Sequence, residues 1–319
     1  MSPKTSPQKT SLSAGIALML IATIFFAMMN ALVKYLAELG YSSMENVFFR
    51  AFFMVVTLYC ILGLFPILKP IMPKLKKPVF KPKKQGGFSA MLMRSLFGAV
   101  AVGIAYYNVA TIPLGIAVAF LQSSPIFVVF LSFFTRNKPG LFVSLATLIG
   151  FLGVLFIANP QTSNIPLINA ILGIIGAISA AIAFLTIPSL KSFYTPEAVS
   201  LWYGFSMCVV GVVGMMIPVE KMGGFSFPDT TAWILFALSG ITGAIGQYCM
   251  TKSYMFAPPG IVAPIAYMRI VWSLLFGIAL GDALPDFFPS LGIFLIIVSG
   301  VLVALPVFIR EYKKLAKTH

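Results

Sequence analysis

Charge is scarce in this chain: Asp, Glu, Lys and Arg together make up 9% of its 319 residues, against about 25% in a soluble domain. So few polar groups cannot clothe a folded surface in water. With 59% hydrophobic residues and a mean hydropathy of +0.99, the outer surface has to face lipid. The apolar runs recur to the end of the chain, so they are not a leader ahead of a soluble domain. Histidine is nearly missing, the one copy being His319, which removes His-based catalysis and His metal sites. The three cysteines, Cys60, Cys208 and Cys249, lie inside apolar runs. They have neither metal-ligand spacing nor the look of a disulfide framework, and read as small buried hydrophobes. No Walker motif is present, so ATP is not the driving force. No nucleophile, base or metal constellation is found, so neither an enzyme nor a cofactor is expected.

The net charge of +14 raises the question of nucleic acid, and the distribution answers it. Lys69, Lys74, Lys76, Lys77, Lys81, Lys83 and Lys84 form one block between two apolar runs, and Arg310, Lys313, Lys314 and Lys317 close the chain. Short basic loops beside apolar spans are topology signals. Ten runs are long enough to cross a bilayer, at residues 14–36, 47–65, 91–111, 116–134, 141–158, 169–188, 198–217, 231–253, 261–280 and 290–309. Pro- and Gly-rich connections such as "ATIPLG", "MFAPPG" and "GDALPDFFP" separate them. With a cytoplasmic N-terminus, all but four of the 22 basic residues fall on the inner side, the exceptions being Lys34, Arg50, Lys221 and Arg269. Arg94 is counted with that inner set, at the mouth of the third span. Most acidic residues fall outside. Such a separation fits ten spans with both termini cytoplasmic, in a bacterial inner membrane.

The two halves resemble each other. At an offset of 145, Pro113 meets Pro258, Gly115 meets Gly260 and Gly98 meets Gly243. With small gaps, Gly15 meets Gly173, Glu45 meets Glu197 and Gly153 meets Gly300. Five spans is an odd number, so the second half enters the membrane from the opposite side. The expected fold is therefore an all-α integral membrane protein, ten transmembrane helices as two inverted five-helix repeats. The first repeat covers 14–158 and the second 169–309, with tails at 1–13 and 310–319 and a connecting loop at 159–168. Inverted repeats are the mark of transporter folds with a site near the midplane.

Four stretches carry a resemblance to a known family: "ENVFFRAFF", "MRSLFGAV", "YYNVATIPLGIAVAFLQSSPIF" and "TLIGFLGVLFIANP". In that order the chain resembles the EamA-type members of the ten-helix drug/metabolite transporter superfamily, over residues 14–309. "ENVFFR" with "RSLFG" looks most like the branch containing S-adenosylmethionine-type importers. The resemblance implies alternating access of a central cavity framed by both halves, and small metabolites as substrates. Members often carry an acidic residue after the fourth span. "TRNKP" has none, whereas "GDALP" keeps Asp282 after the ninth.

One charge stands out. Arg269, in "PIAYMRIVW", lies about 12 Å along its span at 1.5 Å per residue, where an Arg costs about 2.5–3.5 kcal/mol to insert. All eight acidic residues are expected at or beyond the membrane edge, so Arg269 has no obvious internal counterion, and a carboxylate proton relay for exporting cationic drugs lacks its residue. Its repeat mate is Ser124, so a shared structural need does not explain it. Either Arg269 faces a wet cavity and meets an anionic part of a substrate, or it is structural, bonded to helix carbonyls or stacked on Tyr267 or Trp272. Asn30 and Lys34 share one face of the first span, with Lys34 alternatively snorkelling outward. Arg50, five residues after Glu45, is an ion-pair partner, an interface anchor or a site residue. Tyr106, Tyr107, Asn108, Gln122, Ser123, Gln247 and Tyr248 complete a polar, aromatic set that either lines a cavity or bonds across helices. The expectation is a secondary transporter of a small polar metabolite, anionic or zwitterionic, with substrate and lipid as its partners. The alternatives are an S-adenosylmethionine- or amino-acid-type carrier working by exchange or facilitated diffusion, and, from another class, a non-transporting receptor or assembly subunit.

Overall fold

A computed structural model describes residues 12–71, 82, 85–112, 117, 120–135, 139–158, 166–219, 222–279 and 287–316. Among them lie ten principal helices and no strand. The first repeat holds α1 (Leu12–Glu38), α2 (Ser43–Ile71), α3 (Phe88–Thr111), α4 (Ser124–Ser132) and α5 (Leu141–Ala158). The second holds α6 (Leu167–Leu190), α7 (Pro196–Met215), α8 (Thr230–Phe256), α9 (Met268–Ala279) and α10 (Phe287–Ala316). The expected N-terminal tail, nearly all of the basic loop, most of the 159–168 connection and Asp282 fall outside the described residues. Seven of the described helical segments are long and apolar enough to cross a membrane, and Leu141–Ile157 and Ser290–Pro306 are shorter apolar helices.

Local chemistry sets the helix starts. Ser42 and Glu45 form a reciprocal cap for α2: the Ser42 Oγ accepts the Glu45 N–H at 3.2 Å, and the Glu45 Oε2 accepts the Ser42 N–H at 2.6 Å. Thr195 caps α7 by accepting the Ala198 N–H at 3.2 Å, with Pro196 in the first turn. Asp229 caps α8 through the Ala232 N–H at 2.8 Å.

Packing follows the logic of lipid rather than water. In α6 the buried face carries Gly173, Gly176, Ala177, Ala181 and Ala183, while Ile171, Ile174 and Ile175 are exposed. Small residues let backbones approach, and large apolar ones meet acyl chains. The tightest case is where α5 crosses α10. A Cβ on Gly153 would sit 2.5 Å from the Gly292 carbonyl oxygen, and a Cβ on Gly292 2.5 Å from that of Gly153.

The packing pairs show the repeat directly. α1 lies on α8 as α6 lies on α3; α1 meets α9 as α6 meets α4; α2 meets α8 as α7 meets α3. The remaining large contacts, α2 with α7 and α5 with α10, each join a helix to its own repeat mate. Exchanging the halves leaves this list unchanged, so each half is built mainly against the other.

The fourth helix of each half is interrupted. In the second half a turn at Pro259–Val262 and a 3₁₀ turn at Pro264–Tyr267 precede α9. The single span expected at 261–280 is therefore broken inside "PIAYMRIVW". Pro264 has no N–H to continue an α-helix, and the chain tightens into 3₁₀ geometry. In the first half, helical Phe120 and Leu121 give way to a turn at Gln122 and Ser123 before α4 starts at Ser124. By the repeat offset Ser123 corresponds to Met268, so the two breaks fall at equivalent places.

Candidate functional site

The two breaks meet. The Arg269 Nη2 donates to the Gln122 Oε1, and the Gln122 Nε2 donates to the Ala266 carbonyl at 3.3 Å, within the 3₁₀ turn. Gln122 is buried, and its amide serves both the guanidinium and the Ala266 carbonyl at the break. The Arg269 guanidinium lies 5.8 Å from the Phe26 ring centre on α1. Among the described residues it stacks on neither Tyr267 nor Trp272, the partners that the sequence offered for a structural role.

A second guanidinium faces the same interior. Arg50 is buried on α2 and donates to the Tyr106 hydroxyl at 3.2 Å and to the sulfurs of Met207 at 3.3 Å and Met29 at 3.5 Å. Thioether sulfur is a weak acceptor, so this charge is poorly compensated. The expected ion pair with Glu45 is not formed. That carboxylate is taken up by the backbone N–H groups of Ser42 and Ser226, which ties α2 to the segment before α8. Arg269 is within electrostatic reach of Arg50 and of the Tyr106 and Tyr203 phenols. None of the hydrogen bonds that Arg50 or Arg269 makes among the described residues goes to a carboxylate. Two cations held in low dielectric without an acid repel each other, and an anion between them offsets both the repulsion and the lost hydration.

Arg94, which the sequence counts as a topology charge at the mouth of the third span, is 1% exposed. Its guanidinium lies 4.4 Å from the Tyr203 ring centre and 5.7 Å from that of Phe184. Gly98, one turn further along α3, makes room: a Cβ there would come within 2.9 Å of the Tyr203 Cε2 and clash with Arg94 itself. A glycine four residues after an arginine in "RSLFG" was the available signal. Phe26, Met207 and Tyr203 gave none, being apolar or aromatic residues in apolar runs.

The hydrogen bonds described for the other expected site residues run elsewhere. Asn108 is locked to α6: its Nδ2 donates to the Asn169 carbonyl at 3.2 Å, and the Asn169 Nδ2 donates back to the Asn108 Oδ1 at 3.1 Å and to Thr111 at 2.6 Å. Gln247 donates to Thr251 on its own helix at 3.1 Å, and the Tyr248 hydroxyl accepts from Lys252 at 3.1 Å. Ser123 bonds back to the Phe120 carbonyl at 2.6 Å. Tyr267 is buried against Val154, Ile270, Val271 and Ile296; its hydroxyl and the Trp272 Nε1 are buried without partners among the described residues. Tyr107 is half-buried, with its carbonyl accepting from Thr111. Asn30 is half-buried and Lys34 exposed near the end of α1. A cleft of about 770 Å³ between α4, α5 and α6 is walled by residues such as Phe127, Phe130 and Phe151 and has no charged lining residue. No cluster of potential metal ligands occurs among the described residues.

Halves that pack on each other, with interrupted fourth helices meeting at buried charge, define the class: an inverted-repeat membrane transporter. The EamA-like transporter family model matches residues 13–159, the first repeat. A Helicobacter pylori protein named as an uncharacterized transporter is 38% identical over 94% of this chain and 98% of its own length. The chain therefore belongs to the EamA-like transporter family. It is also similar to the pseudopaline exporter CntI of Pseudomonas aeruginosa, 26% identical over 91% of this chain and 95% of the relative. A riboflavin transporter of Rhizobium johnstonii is 24% identical over 94% and 93%. A solved crystal structure shares the fold with a TM-score of 0.71 at 12% identity, covering 96% of this chain and 100% of that one.

Proposed function

We propose that this transporter carries a small metabolite bearing a carboxylate or phosphate group, anionic or zwitterionic, by alternating access of its two halves, with both termini cytoplasmic. The observation that supports this reading is the Arg269–Gln122–Ala266 link between the two helix breaks, placed within electrostatic reach of Arg50. Arg269 binds the anionic group, Gln122 orients the guanidinium, and Arg50 supplies the second positive charge. Interrupted helices are where a carrier can change shape, since the chain on each side of a break moves without breaking a continuous hydrogen-bond ladder. A charge sited there links substrate binding to the arrangement of both halves.

The test is flux into liposomes containing the purified protein, driven by concentration gradients of mono- and dicarboxylates, phosphorylated metabolites, amino acids and S-adenosylmethionine. Saturable uptake of one or more anionic or zwitterionic members is expected. Well-folded protein that moves none of them contradicts the proposal and favours a receptor or assembly role. Uptake confined to cations that carry no carboxylate or phosphate contradicts the substrate class.

A further inference from the structure

Arg94 plays no part in the site between the helix breaks, and its bonding is incomplete in a specific way. The guanidinium lies over the Tyr203 ring at 4.4 Å and 5.7 Å from the Phe184 ring centre, which offsets part of its charge. Those ring contacts are not hydrogen bonds to its N–H groups. The Arg94 Nε and Nη2 are both buried and have no hydrogen-bond partner among the described residues. These two atoms form a single edge of the fork, with parallel N–H bonds spaced to receive the two oxygens of a carboxylate or two oxygens of a phosphate. The neighbouring Ser95 hydroxyl is buried and unpartnered as well. A buried cation with one whole edge open is costly unless something arrives to fill it.

The position of Arg94 relates it to the first site. Tyr203 and Met207 are four residues apart on α7, so they share a face one turn apart. Arg94 stacks on Tyr203 while Arg50 donates to Met207. The two arginines therefore contact successive turns of one helix face, about 6 Å apart along its axis at 1.5 Å per residue. The Tyr203 phenol is also within electrostatic reach of Arg269. Phe184, which lies 5.2 Å from Tyr254 in a stacked pair, backs Arg94 from α6 and α8.

We infer that the open edge of Arg94 is a second oxyanion-binding station on the transport route, one turn of α7 beyond the Arg50–Arg269 site. The inference rests on that site being the anion route. Its ligand is a carboxylate or phosphate of the transported solute. Either a single-headed solute is handed from one station to the next, or the far end of a two-headed solute is held there while Arg269 holds the near end. Tyr203 is the shared wall, and Gly98 leaves room for the guanidinium to lie against it.

The test uses the wild-type full chain in lipid nanodiscs and phenylglyoxal, a small reagent for water-reachable guanidinium groups, with peptide mapping to follow Arg50, Arg94 and Arg269 separately. Acetate, malonate and inorganic phosphate are the competing anions. Modification of Arg94 is expected, with at least one anion slowing it. At about ten times the half-protecting concentration, the rate falls about tenfold. An Arg94 that stays unmodified while Arg269 reacts is a dry structural residue, and the inference fails. It fails equally if Arg94 reacts at a rate that no anion changes, or if protection follows the anionic-lipid content of the nanodisc instead of the added solute. Protection of Arg269 without protection of Arg94 removes the second station and leaves the proposed function standing. Protection of neither removes both.

Discussion

The two helix breaks are equivalent in backbone and different in chemistry. In the first half, the break at Gln122 and Ser123 carries only neutral polar groups. In the second, the break after Pro264 is followed at once by Arg269. Repetition has supplied the scaffold twice and the charge once. That asymmetry separates what the fold requires from what the solute requires. Both halves are interrupted where they meet, whereas the guanidinium at the break, held by the neutral break opposite, is what the proposed charge preference rests on. It also explains why Gln122 faces Arg269: the uncharged break supplies the acceptor that orients the charged one.

The comparison can be broken or sharpened experimentally. The largest effect is expected from Gly153→Leu, which puts a side chain where the Gly292 carbonyl oxygen lies 2.5 Å from an added Cβ. No monodisperse protein should elute on size exclusion, because the contact between the fifth helices of the two halves is lost. Next is the charge itself. Removing a charged hydrogen bond to substrate costs about 1.5–3 kcal/mol, so Arg269→Gln should lower flux by roughly ten- to a hundredfold. Gln122→Ala leaves the charge and removes its orienting acceptor; a KM rise of about tenfold with wild-type monodispersity is expected. An unchanged KM would show that the neutral break does not position the charged one. The smallest effect on transport is expected from Asn108→Ala. It should lower stability by about 1–3 kcal/mol in a denaturant or thermal melt through the loss of the Asn169 bonds, with KM unaltered. A KM change larger than that of Gln122→Ala would return Asn108 to the binding site.

Much of the fold was legible because its signals are long or repeated. Ten apolar runs, a one-sided distribution of lysines and a Pro/Gly register at an offset of 145 are read without knowing any contact. Arg269 was legible because a permanent charge in an apolar run has few reasons to be there. Other features depend on pairings that a linear reading does not contain. Asn108 could line a cavity or bond across helices, and its partner Asn169 lies 61 positions away. Glu45 and Arg50 looked like a pair because they are near in sequence, yet the carboxylate turns to backbone N–H groups and the guanidinium to methionine sulfur. Arg94, close to the end of its run, fits the rule for topology charges, and its burial against aromatic rings is not visible in the sequence. The break within "PIAYMRIVW" was marked by Pro264, but the hydrophobicity on both sides hid it.

The central claim is that Arg269, held by Gln122 between the two breaks, binds the anionic group of the solute. Its most direct test compares Arg269→Gln and Arg269→Lys with wild type for initial flux in the same liposomes, at matched protein content and matched melting temperature. The prediction is near-complete loss with Gln and partial flux with Lys, which keeps the charge and loses the fork. Wild-type flux in Arg269→Gln would contradict the claim.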